Sequence, residues 1–477
     1  MRVVFALLAA ATAVSAAAVP HLERFALVRR ADNSTSVFLS PTEDPFYKPQ
    51  GAWEYKEPGA VLKSRKVSTA LDQLSTAYQV LYRTTDAQDK PDATVATVFK
   101  PLQPAQGEAK VLLFMTPADT AAEDCQTSYA LLSSTQSNVT VSSVSIDLLV
   151  ALSKGYQVVV PDHEGSKAAF ISGKTEAQAG LDGLRAFLNY EKLHSYKAVI
   201  KGYSGGGHAA AWATQCLSTY GKGLSVIASV AGGVPAELYA TTDQLSGTAN
   251  ANLAVAAFAG LANAEPELQS WLEANMYTNG TDALAYVRSN AQCIDSTVSA
   301  GDPLKNIDIY SLFKGGEAAM HEGVPKRIVD QEKLGTVRPA KPTGPEDGPK
   351  AGPGGPSDKK KGVLPVPTFL FHSKTDEVVS YAPIRPYYLD QCKKGANIHL
   401  STVSGSTHVE TYLTYLADAY TFLDKAFTGS HLEGCSSSNG PALPLLSAGY
   451  LQAIGPVAAQ QLTALVSGAS TGARMRL

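Results

Sequence analysis

A serine at position 204 lies among glycines that would leave its hydroxyl free to act as a nucleophile. A short β-type run at residues 198–201 leads into the pattern Gly-x-Ser-x-Gly at residues 202–206, and an alanine-rich stretch follows. A sharp turn from strand to helix leaves no room for Cβ atoms on either side of the serine. The next helix would point N–H groups at the serine, where negative charge develops during acyl transfer. An ordinary glycine-rich turn is the alternative, and the order strand, turn, helix favours a nucleophile.

A serine hydroxyl needs a base within hydrogen-bond reach, and the base needs an orienting carboxylate. After Ser204, Asp376 and then His408 each follow a predicted strand. Because parallel strands end at one edge of a sheet, these side chains could meet. Glu377 is a competing carboxylate, which we expect on the other side of the turn; Asp376 could instead cap a helix, and His408 could be structural. The other histidines precede Ser204, follow it too closely, or lie away from a suitable strand end: His21, His163, His194, His208, His321, His372, His399 and His431.

Acyl transfer also needs two N–H donors that hold the developing oxyanion. The backbone N–H of Gly205, directly after the serine, would supply one of them. The second donor should come from the loop that follows an early strand, and residues 115–120 form that loop. His208, one helical turn after Ser204, is better placed for packing than for proton transfer.

The elements that must position these residues alternate between strand and helix. Runs rich in Val, Ile and Leu that alternate with helical stretches predict the α/β class, with a mostly parallel sheet covered on both faces. The first two strands should pair around a polar turn, and residues 181–190 fit a crossover helix. The predicted strands are 78–83, 93–99, 111–115, 157–160, 198–201, 224–230, 368–371 and 397–402.

Two stretches interrupt this alternation. Residues 238–312 are rich in Ala and Leu and predict a helical insert, whereas residues 339–362 are dominated by Pro, Gly and Lys and predict a disordered loop. The resulting division is a core at 31–236 and 363–435, a helical cap or lid at 237–338, the loop at 339–362, and a C-terminal tail or flap at 436–477.

The composition and the N-terminus indicate an exported globular protein. The 477 residues carry a net charge of −3, which disfavours nucleic acid as a partner. Residues 1–18 read as a signal peptide, with cleavage after Ala16 or Ala18, because the apolar run is too short for a membrane anchor. Residues 19–30 could be a propeptide that ends at Arg29-Arg30. We therefore expect a secreted protein without a transmembrane anchor.

Sequons and cysteines agree with export. Glycosylation sequons occur at three positions, Asn33, Asn138 and Asn279. Five cysteines in an oxidising compartment suggest two bridges and one remaining thiol, for which Cys216 is the best candidate. No Cys-x-x-Cys spacing occurs, so neither zinc nor redox chemistry is indicated.

Four segments together resemble the fungal secretory lipases of the Candida antarctica lipase A type. They are residues 155–165, 202–206, 375–379 and 405–408, and the resemblance extends from about residue 40 to 435. It implies an α/β-hydrolase fold with a helical lid, a Ser204–Asp376–His408 triad, and an oxyanion hole formed by the backbone N–H groups of Asp119 and Gly205. It also implies the disulfides Cys125–Cys293 and Cys392–Cys435, which leave Cys216 free.

The chain departs from that family in its third elbow glycine, Gly207, in the longer loop at 339–362, and in a tail after Cys435 that matches only loosely. The resemblance implies a secreted, monomeric lipase that hydrolyses carboxylic esters, triacylglycerols in particular, with transient contact to lipid interfaces and without cofactor or metal. The same triad would also serve an esterase for small soluble esters, an acyltransferase or a serine peptidase. A non-catalytic adhesion protein is the alternative from another class, and it should lack a triad member.

Overall fold

One mixed sheet positions the candidate site, and its strands lie in the order β1-β2-β3-β5-β4-β6-β7-β8-β9-β10. Strands β1, β2, β3 and β5 pair with one another in that order, and each of these three pairs is antiparallel. Every pair from β5 through β4 to β10 is parallel. The strands are β1 (Val61–Val67), β2 (Ser75–Thr85), β3 (Pro91–Pro101), β4 (Ala109–Met115), β5 (Gln157–Pro161), β6 (Tyr196–Tyr203), β7 (Val226–Gly232), β8 (Thr368–Ser373), β9 (Ile398–Val403) and β10 (Cys435–Asn439).

The computed structural model describes residues 38–132, 140–289, 293, 302–336, 362–430 and 432–466. The predicted signal peptide and propeptide, Asn33, Asn138 and nearly all of the predicted loop at 339–362 lie outside these residues. Met1–Phe38 is a unit of its own, of which only Phe38 is described. The described residues from Leu39 onward belong to one compact unit.

All eight predicted strands are present, and the mostly parallel α/β fold is confirmed. The helices are α1 (Thr127–Ala130), α2 (Thr140–Ser153), α3 (Gly173–Glu191), α4 (Gly205–Gln215), α5 (Leu238–Leu245), α6 (Ala251–Ala264), α7 (Pro266–Asn275), α8 (Thr278–Val287), α9 (Gly316–Met320), α10 (Gly323–Gln331), α11 (Ile384–Lys393), α12 (His408–Phe427), α13 (Ala448–Ile454) and α14 (Pro456–Val466). No helix among the described residues is both long and apolar enough to cross a membrane.

Helices cover both faces of the sheet, as the apolar strands require. Ile200 and Lys201 are neighbours on β6, so their side chains point to opposite faces. Ile200 belongs to the same buried apolar cluster as Ala210 of α4, and α3 packs against α4. Lys201 instead forms a buried ion pair with Asp147 of α2 and lies over the ring of Tyr412 on α12. The candidate nucleophile at the end of β6 is therefore held by packing from both sides.

The helices between β7 and β8 have a core of their own. Side chains of α5, α6, α7, α8, α9 and α10 form one buried apolar cluster, which also includes Phe170 and Ile171 from the segment before α3. Helices thus occupy the stretch for which the sequence predicts a helical insert. Asn279 is exposed on α8, as a glycosylation acceptor must be, and its modification stays a prediction.

The structure contains two disulfides, Cys125–Cys293 and Cys392–Cys435. The first links the segment after β4 to the residues after α8, so it ties the helical insert to the sheet. The second links α11 to the start of β10. Cys216, which directly follows α4, is free, and burial raises the pKa of its thiol to about 12. Strand β10 runs past the predicted end of the core at residue 435 and adds the edge strand of the sheet.

Candidate active site

Ser204 occupies a strained turn between β6 and α4. Its φ is +59° and its ψ is −129°, a backbone conformation that non-glycine residues rarely adopt. A Cβ on Gly202 would lie 1.9 Å from the carbonyl oxygen of Gly206, and one on Gly206 would lie 2.3 Å from that of Met115. The elbow therefore needs both glycines, because strand, turn and helix approach each other this closely.

The third glycine of the elbow also has a structural reason. A Cβ on Gly207 would lie 2.5 Å from the carbonyl oxygen of Gly232 at the end of β7. Gly207 thus lets α4 pack closely against the neighbouring strand. This departure from the family pattern leaves the geometry of the turn intact.

The three side chains expected from the sequence meet at the carboxyl edge of the sheet. His408 Nε2 lies 2.9 Å from Ser204 Oγ, and His408 Nδ1 lies 2.7 Å from Asp376 Oδ2. All three residues are buried. Ser204 follows β6, Asp376 follows β8, and His408 begins α12 after β9. The parallel order of these strands brings together residues that are far apart in the chain.

The surroundings of Asp376 keep its carboxyl ionised. Burial alone would raise the pKa of Asp376, but the hydrogen bond with His408 and the attraction of His408 outweigh it and hold the pKa below the ordinary 3.8. The backbone N–H groups of Val378 and Val379 also donate to Asp376 Oδ1. An ionised carboxylate at Nδ1 fixes the tautomer in which Nε2 of His408 can accept the serine proton.

Two further contacts hold His408, and sequence reasoning did not anticipate them. Glu377 accepts a hydrogen bond from the backbone N–H of His408 at 2.9 Å, so it reaches the same residue as Asp376 instead of pointing away. The Tyr203 hydroxyl donates to the backbone carbonyl of His408 at 2.5 Å, and the two rings lie 4.8 Å apart. The position of Tyr203 beside the nucleophile was the one available signal.

Asp119, to which the family resemblance assigns an oxyanion N–H group, lies beside Gly205. A Cβ on Gly205 would lie 1.9 Å from Asp119 Oδ1, and both residues line the same cavity as Ser204. Asp119 has a φ of +49°. Burial raises the pKa of Asp119 to about 7, against the opposing charge of His408. Its carboxyl is therefore neutral in mildly acidic solution.

The cavity above Ser204 is small and mostly apolar. It encloses about 50 Å³. Helices α5 and α6 of the insert form its roof, and Gln244 of α5 donates to the backbone carbonyl of Asp376 at 2.8 Å. The walls include Phe170, Leu238, Leu253, Ala257 and Val378.

The competing histidines lie elsewhere. Nδ1 of His208 is 2.7 Å from Glu176 Oε2, and the indole N–H of Trp212 donates to His208 Nε2, so this ring is committed to packing. His372 is buried, and burial lowers its pKa to about 4, so it is neutral. Among the described residues, one group of three metal-ligating side chains occurs, and it lies in the helical insert instead of at Ser204.

Comparison with known proteins identifies the relatives of this chain. The family described as secretory lipase matches residues 132–344. Lipase A of Moesziomyces aphidis is 34% identical over 436 residues, which cover 90% of this chain and 88% of that protein. A secreted triacylglycerol lipase of Malassezia globosa is 31% identical over 407 residues, which cover 83% and 84% of the two chains.

Solved structures similar to this chain include a lipase A, as the sequence relatives do. Candida antarctica lipase A in its closed state superposes with a TM-score of 0.79 and 31% identity, over 90% of this chain and 96% of that one. A rice cell wall degrading esterase of Xanthomonas oryzae, at 16% identity and a TM-score of 0.57, shares the fold. Lipase A of Moesziomyces aphidis is 34% identical to this chain over 90% of the chain's length. The chain therefore belongs to the secretory lipase family.

Proposed function

We propose that this protein is a secreted lipase that cleaves carboxylic esters, triacylglycerols in particular, through a covalent acyl-enzyme. The observation that carries the proposal is the hydrogen-bonded series Ser204–His408–Asp376 beneath an apolar roof. Family membership supports it, because several relatives are named secreted triacylglycerol lipases.

In the first half of the reaction, Ser204 Oγ attacks the ester carbonyl and its proton passes to His408 Nε2. Asp376 then stabilises the imidazolium that forms. His408 returns the proton to the leaving alcohol, and an ester between Ser204 and the acyl group remains. In the second half, a water molecule attacks this ester and His408 takes its proton. The acid is released as His408 gives that proton to Ser204 Oγ, which restores the enzyme.

The oxyanion of both tetrahedral intermediates would be held by the backbone N–H groups of Gly205 and Asp119. The N-terminus of α4 adds its dipole, since Gly205 is the first residue of that helix. A neutral Asp119 carboxyl, favoured by a pKa of about 7, avoids a negative charge beside the oxyanion. No step of this scheme requires a metal or cofactor.

The cavity of about 50 Å³ is too small for an acyl chain and a glycerol backbone, since ligand pockets usually enclose about 300–1,000 Å³. Helices α5 and α6 must therefore move before a triacylglycerol can reach Ser204. Such an opening would expose the apolar undersides of both helices, which suits transient contact with a lipid interface. The relatives named as secreted lipases support secretion, and the predicted signal peptide at residues 1–18 agrees with it.

The decisive experiment replaces the nucleophile. Ser204→Ala should lower kcat by about 10⁴–10⁶ while the folded protein is retained, which circular dichroism and the melting temperature would verify. A fluorophosphonate probe should label the wild type at Ser204 and leave the variant unlabelled. Labelling that persists in the variant would show that another residue is the nucleophile.

The substrate class needs its own comparison. Rates on p-nitrophenyl esters of increasing chain length, on an emulsified triglyceride and on an amide substrate distinguish a lipase from a small-ester esterase and a peptidase. We expect the long-chain esters and the triglyceride to be cleaved. Activity confined to acetate and butyrate esters would contradict the lipase proposal.

A further inference from the structure

Three side chains of the helical insert converge in an arrangement that the ester chemistry does not use. Asp243 lies on α5, Glu317 lies on α9, and His321 follows α9 directly. One carboxylate oxygen of Asp243, one of Glu317 and one imidazole nitrogen of His321 all lie within 4.8 Å of one another. Small side-chain rotations would bring the three ligand atoms to the roughly 2.0–2.2 Å at which nitrogen and oxygen bind a zinc ion.

The imidazole of His321 is held in place and one of its nitrogens is unused. Nε2 of His321 is enclosed yet has no hydrogen-bond partner, which is a costly state for a buried polar atom. The ring stacks on Tyr239 with centroids 4.1 Å apart. The hydroxyl of Tyr239 in turn donates to the carbonyl of Met320, so the aromatic support is itself anchored.

The charge of the cluster is compatible with a bound cation, and both of its carboxylates are exposed to solvent. Asp243 and Glu317 bring two carboxylates together, and neither forms an ion pair with a lysine or arginine among the described residues. Asp243 has a hydrogen bond from the Tyr310 hydroxyl, which orients the carboxylate without neutralising it. A bound cation would relieve the repulsion between the two carboxylates.

We propose that Asp243, Glu317 and His321 form a binding site for a divalent transition-metal ion of the zinc type. An imidazole with two carboxylates suits zinc, whereas calcium prefers six to eight oxygen ligands and magnesium keeps mostly water and carboxylate oxygen. Three protein ligands leave one position of a tetrahedral site for water. The ion is structural and takes no part in ester cleavage, so the inference is independent of the proposed function.

The position of α5 gives this site a consequence. Besides Asp243, this helix carries Thr241 and Thr242, which line the cavity of Ser204, and Gln244, which donates to the carbonyl of Asp376. An ion bound by Asp243, Glu317 and His321 would join α5 to the segment around α9. It would thereby stiffen one wall of the roof over the nucleophile.

Calorimetric titration with zinc chloride tests the proposal on the full mature chain, purified without a polyhistidine tag and treated with a chelator. We expect one saturable ion per chain and a higher melting temperature in its presence. Asp243→Asn, Glu317→Gln and His321→Gln should each weaken zinc binding by at least about tenfold, since even outer-shell changes cost about 10–100-fold. Asp282→Asn, an exposed aspartate on α8, is the matched control and should bind zinc like the wild type.

Melting temperatures without zinc show whether each variant is folded. A folded variant that binds zinc weakly has then lost a ligand of the ion and not its fold. Calcium chloride in place of zinc should give no comparable binding. The proposal is overturned if the wild type shows no saturable zinc binding. It is equally overturned if the combined variant of all three residues binds zinc as tightly as the wild type, because the ion would then lie elsewhere.

Discussion

Two neighbouring carboxylates reach His408 in different ways, and this difference can be measured. Asp376 accepts from the imidazole at Nδ1, whereas Glu377 accepts from the backbone N–H. Only the first contact can set the tautomer and stabilise the imidazolium. Asp376→Asn should therefore lower kcat by about 10⁴, while Glu377→Gln should lower it by no more than about tenfold.

The two variants serve as controls for each other, because each replaces a carboxylate by the corresponding amide and the two positions are adjacent. Both should be assayed on p-nitrophenyl butyrate, with the melting temperature recorded for each. If Glu377→Gln were the inactive protein and Asp376→Asn retained activity, the assignment of the acid would be wrong.

The carboxyl of Asp119 leads to a second prediction about a single residue, which concerns the pH dependence of activity. Burial raises its pKa to about 7, so the group is neutral below that pH and negative above it. A negative charge beside the oxyanion opposes the transition state. We expect kcat/KM to fall by at least about tenfold between roughly pH 7 and pH 9, and Asp119→Asn to lack this fall.

Asp162 is the matched control for Asp119. Burial raises its pKa to about 7 as well, but Asp162 does not line the cavity of Ser204. Asp162→Asn should keep the fall in kcat/KM at alkaline pH. An alkaline fall that survives in Asp119→Asn would mean that another group causes it.

Among the elements, those with an apolar pattern could be predicted from the sequence and two edge strands could not. Strand β1 reads Val-Leu-Lys-Ser-Arg-Lys-Val, and β10 reads Cys-Ser-Ser-Ser-Asn with every residue exposed. Both lie at the ends of the sheet, where one side of the strand has no neighbour. Edge strands of this kind carry charge or small polar residues that prevent further pairing, so they give no hydrophobic signal.

The candidate site likewise contains residues that could be predicted from the sequence and contacts that could not. Ser204, Asp376 and His408 each follow an apolar strand, and the parallel sheet brings such positions together, so chain order sufficed to predict their meeting. The contacts of Gln244 with Asp376 and of Glu377 with His408 join separate elements through single hydrogen bonds. Their geometry depends on how the helices pack, which no local pattern records.

Helix α6 lends itself to a prediction about substrate choice. Ala257 and Leu253 of this helix line the cavity together with Ser204. Ala257→Trp should fill the space that an acyl chain would enter and lower the rate on long-chain esters about tenfold more than on acetate esters. Rates across a series of p-nitrophenyl esters measure this difference.

Ala264→Trp makes the same change near the end of α6 at a half-buried position away from the cavity. It should leave the chain-length profile unchanged, even if it alters stability. An equal loss of rate at all chain lengths in Ala257→Trp would mean that this face of α6 does not line the acyl site.

At the scale of the whole molecule, burial raises the pKa of several carboxyls, and this affects stability. Burial raises the pKa of Asp119 and Asp162 from 3.8 to about 7, and that of Glu332 from 4.5 to about 8. Each carboxyl keeps its proton in the folded protein at a pH where the unfolded chain releases it. Folding is then favoured at low pH, and the advantage is lost as the pH rises through the folded-state pKa.

Histidines oppose this trend only at lower pH. Burial lowers the pKa of His372 to about 4, and it also lowers that of His163. Below about pH 6.5 the unfolded chain protonates these rings while the folded protein does not, which favours unfolding on acidification. The effect of the carboxyls should therefore be clearest above that value.

The melting temperature should accordingly fall by roughly 2–5 °C between about pH 6.5 and pH 8.5. Glu332→Gln should reduce this fall, because a glutamine keeps the acceptor for the backbone N–H of Gly173 but cannot ionise. Glu54→Gln, at an exposed position, should leave the fall unchanged. Differential scanning calorimetry in buffers of matched ionic strength measures all three proteins. A melting temperature that rises across this range would mean that the buried carboxyls are ionised in the folded protein and stabilised by groups other than those described.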